Sequence, residues 1–286
     1  MAAGTSQDTL AFRSAASHAR EDTKGETHLD IVICKTYDEM SAKAARVVAG
    51  AVRAEPRAVL GFATGSSPLG LYKELIRMHR KEGLDFSKVT TFNLDEYYGL
   101  EGDHPQSYRR FMNTNLFDHI NVRKPKTNVP CGTAADWRKS CADYEKKIVK
   151  AGGIDVQVLG IGSDGHVAFN EPGSSLGSRT RRVTLTEQTL ADNARFFAKA
   201  EDVPRHAISM GVGTILEART CVMVVNGKNK AEALAAAVEG PVTSMITASA
   251  LQLHPDTIVF CDEPAAAGLK MRKYYEWIQR QAAKDN

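Results

Sequence analysis

The stretch Ala58-Val59-Leu60-Gly61-Phe62-Ala63-Thr64-Gly65-Ser66-Ser67-Pro68 decides the architecture. Its first part, Ala58 to Ala63, is apolar or glycine with no alternation, as a strand reads when both of its faces are covered. Thr64 to Ser67 then place a glycine and hydroxyls at the strand's carboxyl end. Pro68 suits the first position of a helix, where its missing N–H costs nothing. Strand, polar turn and helix in that order make half of a βαβ unit.

The same rhythm continues on both sides. Short β-rich runs recur at Ile31 to Cys34, Val89 to Leu94, Asp155 to Ile161, Ala207 to Met210, Cys221 to Val225 and Thr257 to Cys261, with amphipathic stretches between them. Thr36 with Glu39 reads as a capping box ahead of Met40, Ala44, Val47, Val48 and Ala51, an i, i+4, i+7 stripe. The pattern predicts an α/β fold: an open, mostly parallel, doubly wound sheet with helices on both faces, Rossmann-like and built as a single domain over residues 29–286. A chain of 286 residues that is 43% hydrophobic can bury the core this requires.

Sheets of this kind bind ligands beyond the carboxyl ends of their strands, where the strand order reverses. The polar residues fall there in turn: Thr64 to Ser67, Asp95 and Glu96, Asp164 and His166, Gly211 to Thr214, Asn226 to Lys230, and Asp262 with Glu263. All are expected at one edge.

Composition narrows the partners. With 37 basic against 34 acidic residues the charge nearly cancels, so no basic stripe calls for nucleic acid or an anionic membrane. No run of 18 apolar residues is present to span a bilayer. Small anionic ligands remain open. Five cysteines, an odd number without a CxxC pair, point to a reducing compartment such as the cytoplasm and suggest no metal site. Residues 1–28 lack the apolar stretch of a signal peptide and are expected to form a flexible extension. Arg13 and Arg20 with several serines fit a transit peptide, against which Asp8, Glu21, Asp22 and Glu26 argue.

Four segments carry chemistry. Thr64-Gly65-Ser66-Ser67 offers N–H groups and hydroxyls at a helix start, an anion cradle, although a plain capped turn reads the same way. Gly160-Ile161-Gly162-Ser163-Asp164-Gly165 matches GxGxxG after a strand, but Pro172 and Gly173 break any helix that would follow, so a dinucleotide site is rejected. Asp164 and Glu171 flank His166 at two and five residues, and either acid can fix its tautomer and raise its pKa. Asp95 and Glu96 are adjacent: one can enter the crevice as a base while the other turns away or pairs, and a helix cap is the plain alternative. Arg195 and Lys230 are cations able to complete a phosphate grip, though most such residues are solvated.

These motifs together resemble the glucosamine-6-phosphate deaminase family, also called glucosamine-6-phosphate isomerase. The resemblance runs from about Leu60 to Pro264. It includes Gly61 to Pro68, Thr91-Phe92-Asn93-Leu94-Asp95-Glu96-Tyr97, His104-Pro105-Gln106-Ser107-Tyr108, Gly160 to Pro172, Arg195-Phe196-Phe197, Gly211-Val212-Gly213-Thr214 and Leu251-Gln252-Leu253-His254-Pro255. It implies reversible conversion of glucosamine 6-phosphate and water to fructose 6-phosphate and ammonia, with no cofactor and no metal. It also implies that Asp95 is the base at C2, that His166 opens the ring at O5, and that Asp164 and Glu171 hold and tune the imidazole. Phosphate recognition would fall to Thr64, Gly65, Ser66, Ser67, Arg195 and Lys230. The implied partner is a phosphorylated amino sugar, with no nucleic acid and no membrane. The family contains both monomers and hexamers, which leaves a homo-oligomer open.

Family members activated by N-acetylglucosamine 6-phosphate carry R-T-R-x-K-T, whereas this chain reads Arg179-Thr180-Arg181-Arg182-Val183-Thr184. Ser174, Ser175, Arg181 and Thr184 would be a remnant of that effector site, with Val183 where lysine is expected. The extended N-terminus also differs from members whose first residue helps to form the site. Weak or absent activation is therefore expected. A phosphosugar isomerase, a 6-phosphogluconolactonase and a non-catalytic sugar-phosphate sensor are the competing readings.

Overall fold

The computed structural model describes residues 28–282 and 284. The expected extension over residues 1–28 lies outside them, apart from His28, which opens the first strand. The chain runs β1 (His28–Cys34), α1 (Tyr37–Ala54), β2 (Val59–Phe62), α2 (Leu69–Glu82), β3 (Thr90–Asn93), β4 (Asp95–Tyr97), α3 (Tyr108–Asn115), β5 (Thr127–Asn128) and α4 (Trp137–Lys150). It continues through β6 (Val156–Leu159), β7 (Arg181–Thr184), α5 (Glu187–Ala194), β8 (His206–Ser209), α6 (Val212–Leu216), β9 (Thr220–Val225), α7 (Ala231–Glu239), β10 (Asp256–Asp262) and α8 (Arg272–Ala282).

Seven strands form a parallel sheet in the order β1-β10-β9-β6-β2-β3-β5. Its strands read as unbroken apolar runs because successive side chains enter different cores. Val59, Met223, Val259 and Cys261 pack on one face with α4, α6 and α7. Leu60, Val222, Val224 and Phe260 pack on the other with α1 and α2. The doubly wound arrangement expected from the sequence is therefore present.

One expected parallel strand belongs elsewhere. The run around Ala207 forms β8, the middle of a separate three-stranded sheet in which it pairs antiparallel with β4 and β7. An apolar tetrapeptide looks alike in either sheet. Neither partner announces itself, since β4 is Asp-Glu-Tyr and β7 is Arg-Arg-Val-Thr. Met210 donates its N–H to the carbonyl of Leu94 at 2.7 Å, tying the small sheet to the carboxyl end of β3.

Helix starts also depart from the expected scheme. Thr36 Oγ1 accepts the Glu39 N–H as foreseen, but the Glu39 carboxylate reaches back to the N–H of Lys35 and not to that of Thr36. Helix α2 begins at Leu69, one residue later than expected. Pro68 precedes it with φ −81°, and the Ser67 hydroxyl does not cap it, donating instead to Asn226 Oδ1 at 2.7 Å. Among the described residues no helix is long and apolar enough to cross a membrane.

Candidate active site

From β2 the chain steps outward to β3 on one side, while β6 returns on the other side and leads to β9 and β10. The reversal lies between β2 and β6. The loops that leave these two strands, Thr64 to Ser67 and Gly160 to Glu171, diverge there and open a crevice.

On the β2 side, Gly65 has φ +93°, a left-handed turn that only glycine adopts freely. The cations expected beside this loop both sit at helix ends. Lys230 closes a 3-10 turn (Lys228–Lys230) ahead of α7, and Arg195 caps the end of α5. Burial lowers the Lys230 pKa, opposed by the charges of Asp192 and Asp164 and assisted by that of Arg195, so Lys230 lies among all three. The Ser163 hydroxyl donates to Asp192 at 2.7 Å. Arg195 is exposed, with its guanidinium 4.7 Å from the centroid of the Phe196 ring. A cavity of about 440 Å³ opens where Ser163 faces Lys228 and Asn229. Another of about 350 Å³ lies beside α4, and neither cavity is lined by the expected catalytic or phosphate-binding residues.

On the β6 side, His166 Nδ1 lies 2.7 Å from Asp164 Oδ1 and 3.4 Å from Glu171 Oε2. Asp164 also accepts the His166 N–H, and Glu171 accepts the N–H and hydroxyl of Thr186. Burial lowers the His166 pKa, but hydrogen bonds and charge from the two acids outweigh it and carry the imidazole to about 9. Burial likewise works against ionising the acids. Their bonds to His166 prevail, and both carboxyls fall below the usual range. The three donor atoms lie within 4.8 Å of one another, so a divalent cation and a proton would compete for the same space.

Backbone geometry makes room for this cluster. A Cβ at Gly162 would sit 2.5 Å from the His166 ring, and Ala168 holds φ +51°, rare for a residue with a side chain. The loop is bolted to the small sheet: Phe169 donates its N–H to Ser209 Oγ at 3.1 Å, and Asn170 Nδ2 donates to the Met210 carbonyl at 2.9 Å. Phe169 in turn stacks on Tyr108 at a centroid distance of 5.9 Å.

The third wall is β4, where sequence reading placed a loop. Asp95 is 6% exposed. Burial, then the charge of Glu96, drives its pKa up to about 8, and His166 pulls it partly back, so these two groups sense each other's charge. Glu96 faces away. It accepts the N–H groups of Tyr97 and Tyr108 at 2.9 Å, that of Arg109 at 3.0 Å and the Ser107 hydroxyl at 2.8 Å, which anchors the start of α3.

The expected effector residues are only partly gathered. Arg181 donates to Ser174 Oγ at 3.0 Å and to Asn170 Oδ1 at 2.8 Å. Ser175 serves its own turn, accepting the Gly177 N–H, and Thr184 meets His206. Val183 packs against the cluster of Tyr97, Phe169 and Leu185.

Sequence reading missed Tyr108, Phe169, Asn170 and Ser209 as parts of the site, and placed Asn226 at the same edge without a role. Tyr108, Phe169 and Asn170 lie within the matched motifs, but Ser209 and the bond of Asn226 to Ser67 depend on the tertiary arrangement.

The profile of glucosamine-6-phosphate isomerases/6-phosphogluconolactonase matches residues 35–259. A glucosamine-6-phosphate deaminase of Thermoanaerobacter pseudethanolicus is 50% identical over 239 residues, 84% of this chain and 94% of that protein. One from Cellvibrio japonicus is 54% identical over 233 residues, 82% of this chain and 89% of that protein. Among solved structures, a monomeric glucosamine-6-phosphate deaminase superposes with TM-score 0.82 at 45% identity, covering 84% of this chain and 99% of its own. The 6-phosphogluconolactonase of Trypanosoma cruzi superposes with TM-score 0.67 at 20% identity, covering 86% of this chain and 98% of its own, a likeness of fold alone. The chain belongs to the glucosamine-6-phosphate isomerase/6-phosphogluconolactonase family.

Proposed function

We propose that this chain is a glucosamine-6-phosphate deaminase, converting glucosamine 6-phosphate and water to fructose 6-phosphate and ammonia. The observation that carries the reading is the charge coupling, across one crevice, of the buried Asp95 carboxyl with an imidazole braced by Asp164 and Glu171. Identity of 45–54% to proteins named for this activity supports it.

In the proposed mechanism, Thr64, Gly65, Ser66 and Ser67 receive the phosphate, Lys230 pairs with it, and Arg195 swings from the Phe196 ring to join. His166, stabilised as the imidazolium by Asp164 and Glu171, gives a proton to the ring oxygen O5 as the C1–O5 bond breaks, and takes up the proton that the C1 hydroxyl loses on becoming the aldehyde. Asp95 then removes the C2 proton. The electron pair forms the C1–C2 double bond of an enolamine while the aldehyde oxygen takes a proton from His166. Asp95 returns its proton to C1, leaving an iminium at C2, to which water adds before ammonia departs. A carboxylate moving a carbon-bound proton benefits from a raised proton affinity, which the burial of Asp95 supplies.

Residues 29–286 act in this proposal as one catalytic domain. The buried free thiols of Cys34, Cys141, Cys221 and Cys261 fit a cytoplasmic location. The solved relative is described as monomeric, and a monomer is the simplest assembly for this chain. The decisive experiment measures ammonia release from glucosamine 6-phosphate, beside hydrolysis of 6-phosphogluconolactone and sizing chromatography. Lactone hydrolysis without ammonia release would replace the proposal with the lactonase reading.

A further inference from the structure

The turn that joins β2 to α2 is pinned from outside by a residue of another helix. The hydroxyl of Tyr37, the first residue of α1, lies 3.1 Å from the carbonyl oxygens of both Ser66 and Ser67 and accepts the Gly70 N–H at 2.7 Å. A phenol has one proton to give and lone pairs to receive, so one hydroxyl meets both needs. The approach is open only because residue 70 is glycine. A Cβ there would stand 2.8 Å from Tyr37 Cε1 and 2.2 Å from Ser41 Oγ.

We infer that Tyr37 is a positioning residue for the substrate's phosphate, an inference that rests on reading Thr64 to Ser67 as the phosphate cradle. The reason is directional. In a trans peptide the C=O and the following N–H point opposite ways, so holding the Ser66 carbonyl toward α1 turns the Ser67 N–H away from it. The next peptide has no N–H, because residue 68 is proline, which makes the Ser66–Ser67 unit the one the clamp orients. The Ser67 side chain is fixed separately by Asn226. Gly70, in the first turn of α2, already gives its N–H to the phenol. The anion is thereby directed to the donors of residues 65–67 and not deeper along the helix.

The test is Tyr37→Phe, which keeps the ring and removes the hydroxyl. KM for glucosamine 6-phosphate should rise about tenfold with kcat changed by less than about twofold, the signature of lost binding that does not touch the chemical step. The dissociation constant of inorganic phosphate, measured by calorimetry, should rise by the same factor. A merely structural role would instead lower Tm and kcat while leaving phosphate affinity unchanged, and that outcome overturns the inference. Gly70→Ala, which pushes the ring aside without deleting the hydroxyl, carries the same test should Tyr37→Phe fail to accumulate. Lys230→Ala separates the two levels of the reading. If it too leaves phosphate affinity unchanged, the cradle itself is wrong. If it weakens phosphate and Tyr37→Phe does not, only the role of Tyr37 falls.

Discussion

Asp95 and Glu96 are neighbours on β4 with opposite surroundings: the Glu96 carboxylate accepts three hydrogen bonds at the start of α3 and a fourth from Tyr97, while Asp95 is buried beside it and holds its proton up to about 8. Glu96 is the second cause of that elevation, so the anchor of a helix also tunes the proposed base.

The pair gives a prediction with two separable readouts. Asp95→Asn should lower kcat by about 10²–10⁴ while the thermal transition stays in place, because a positioned proton carrier is typically worth that much. Glu96→Gln should cost about 1.5–3 kcal/mol of stability, the scale of hydrogen bonds to a charged acceptor. It should also move the acid limb of the activity profile to lower pH, since the repulsion that raises Asp95 is removed. Normal turnover by purified Asp95→Asn would eliminate the proposed base.

The pH dependence of kcat/KM should be a narrow bell. Asp95 must be ionised to accept the C2 proton, which sets an acid limb near 8, and His166 must be protonated to serve O5, which sets an alkaline limb near 9. The two groups are coupled, so the limbs belong to the pair. His166→Gln should remove the alkaline limb and move the acid limb to higher pH, because the cation that pulls the Asp95 pKa back is gone. A profile flat between pH 7 and 10 would contradict both assignments.

Stability should respond to the same imidazole. His166 binds its proton more tightly in the folded chain, at about 9 against an ordinary 6.5. Its contribution is therefore complete below 6.5 and disappears as pH rises through 9. The raised pKa of Asp95 slopes the same way between 3.8 and 8, because there the folded state retains a proton that the unfolded state has lost. Urea unfolding at a series of pH values from 6 to 10 should show falling stability, with a shallower decline in His166→Gln. An equal decline in that variant would show that the proton is not held there.

Room for the imidazole is itself testable. Gly162→Ala would place a methyl carbon 2.5 Å from the His166 ring, closer than any real contact, so the ring must swing off Asp164 or Glu171. A displacement of about an ångström at a reacting group can cost about 10² in rate. Turnover should fall by that order, and the His166 titration seen by NMR should move toward its ordinary value. An unmoved titration would mean that the loop, not the ring, gives way.

The parallel sheet was legible because each buried strand writes itself as an apolar run, and the edge carrying Thr64, Asp164 and Lys230 followed from those runs. The small sheet was not. Strands β4 and β7 carry charged residues, and the burial of Asp95 follows only from its pairing opposite Ser209, over a hundred residues further along the chain. The His166 cluster could be read because its members are local. Asn226 on Ser67, 159 residues away, and Tyr37 on Gly70 could not, since no local pattern records which distant loop ends meet.

Regulation provides the last prediction. An effector that shifts an equilibrium must find groups able to bind it better in one state than in the other. Here Arg181 is already engaged by Asn170 and Ser174, Ser175 accepts within its own turn, Thr184 faces His206, and the position of the expected lysine is occupied by Val183 packed among Tyr97, Phe169 and Leu185. The cationic pair that would grip a second phosphate is thus reduced to one guanidinium already bonded to Asn170 and Ser174. Adding N-acetylglucosamine 6-phosphate should leave the substrate saturation curve hyperbolic and its midpoint unmoved. A leftward shift of that midpoint would show that Arg181 can be released and that the site still binds an effector without the lysine.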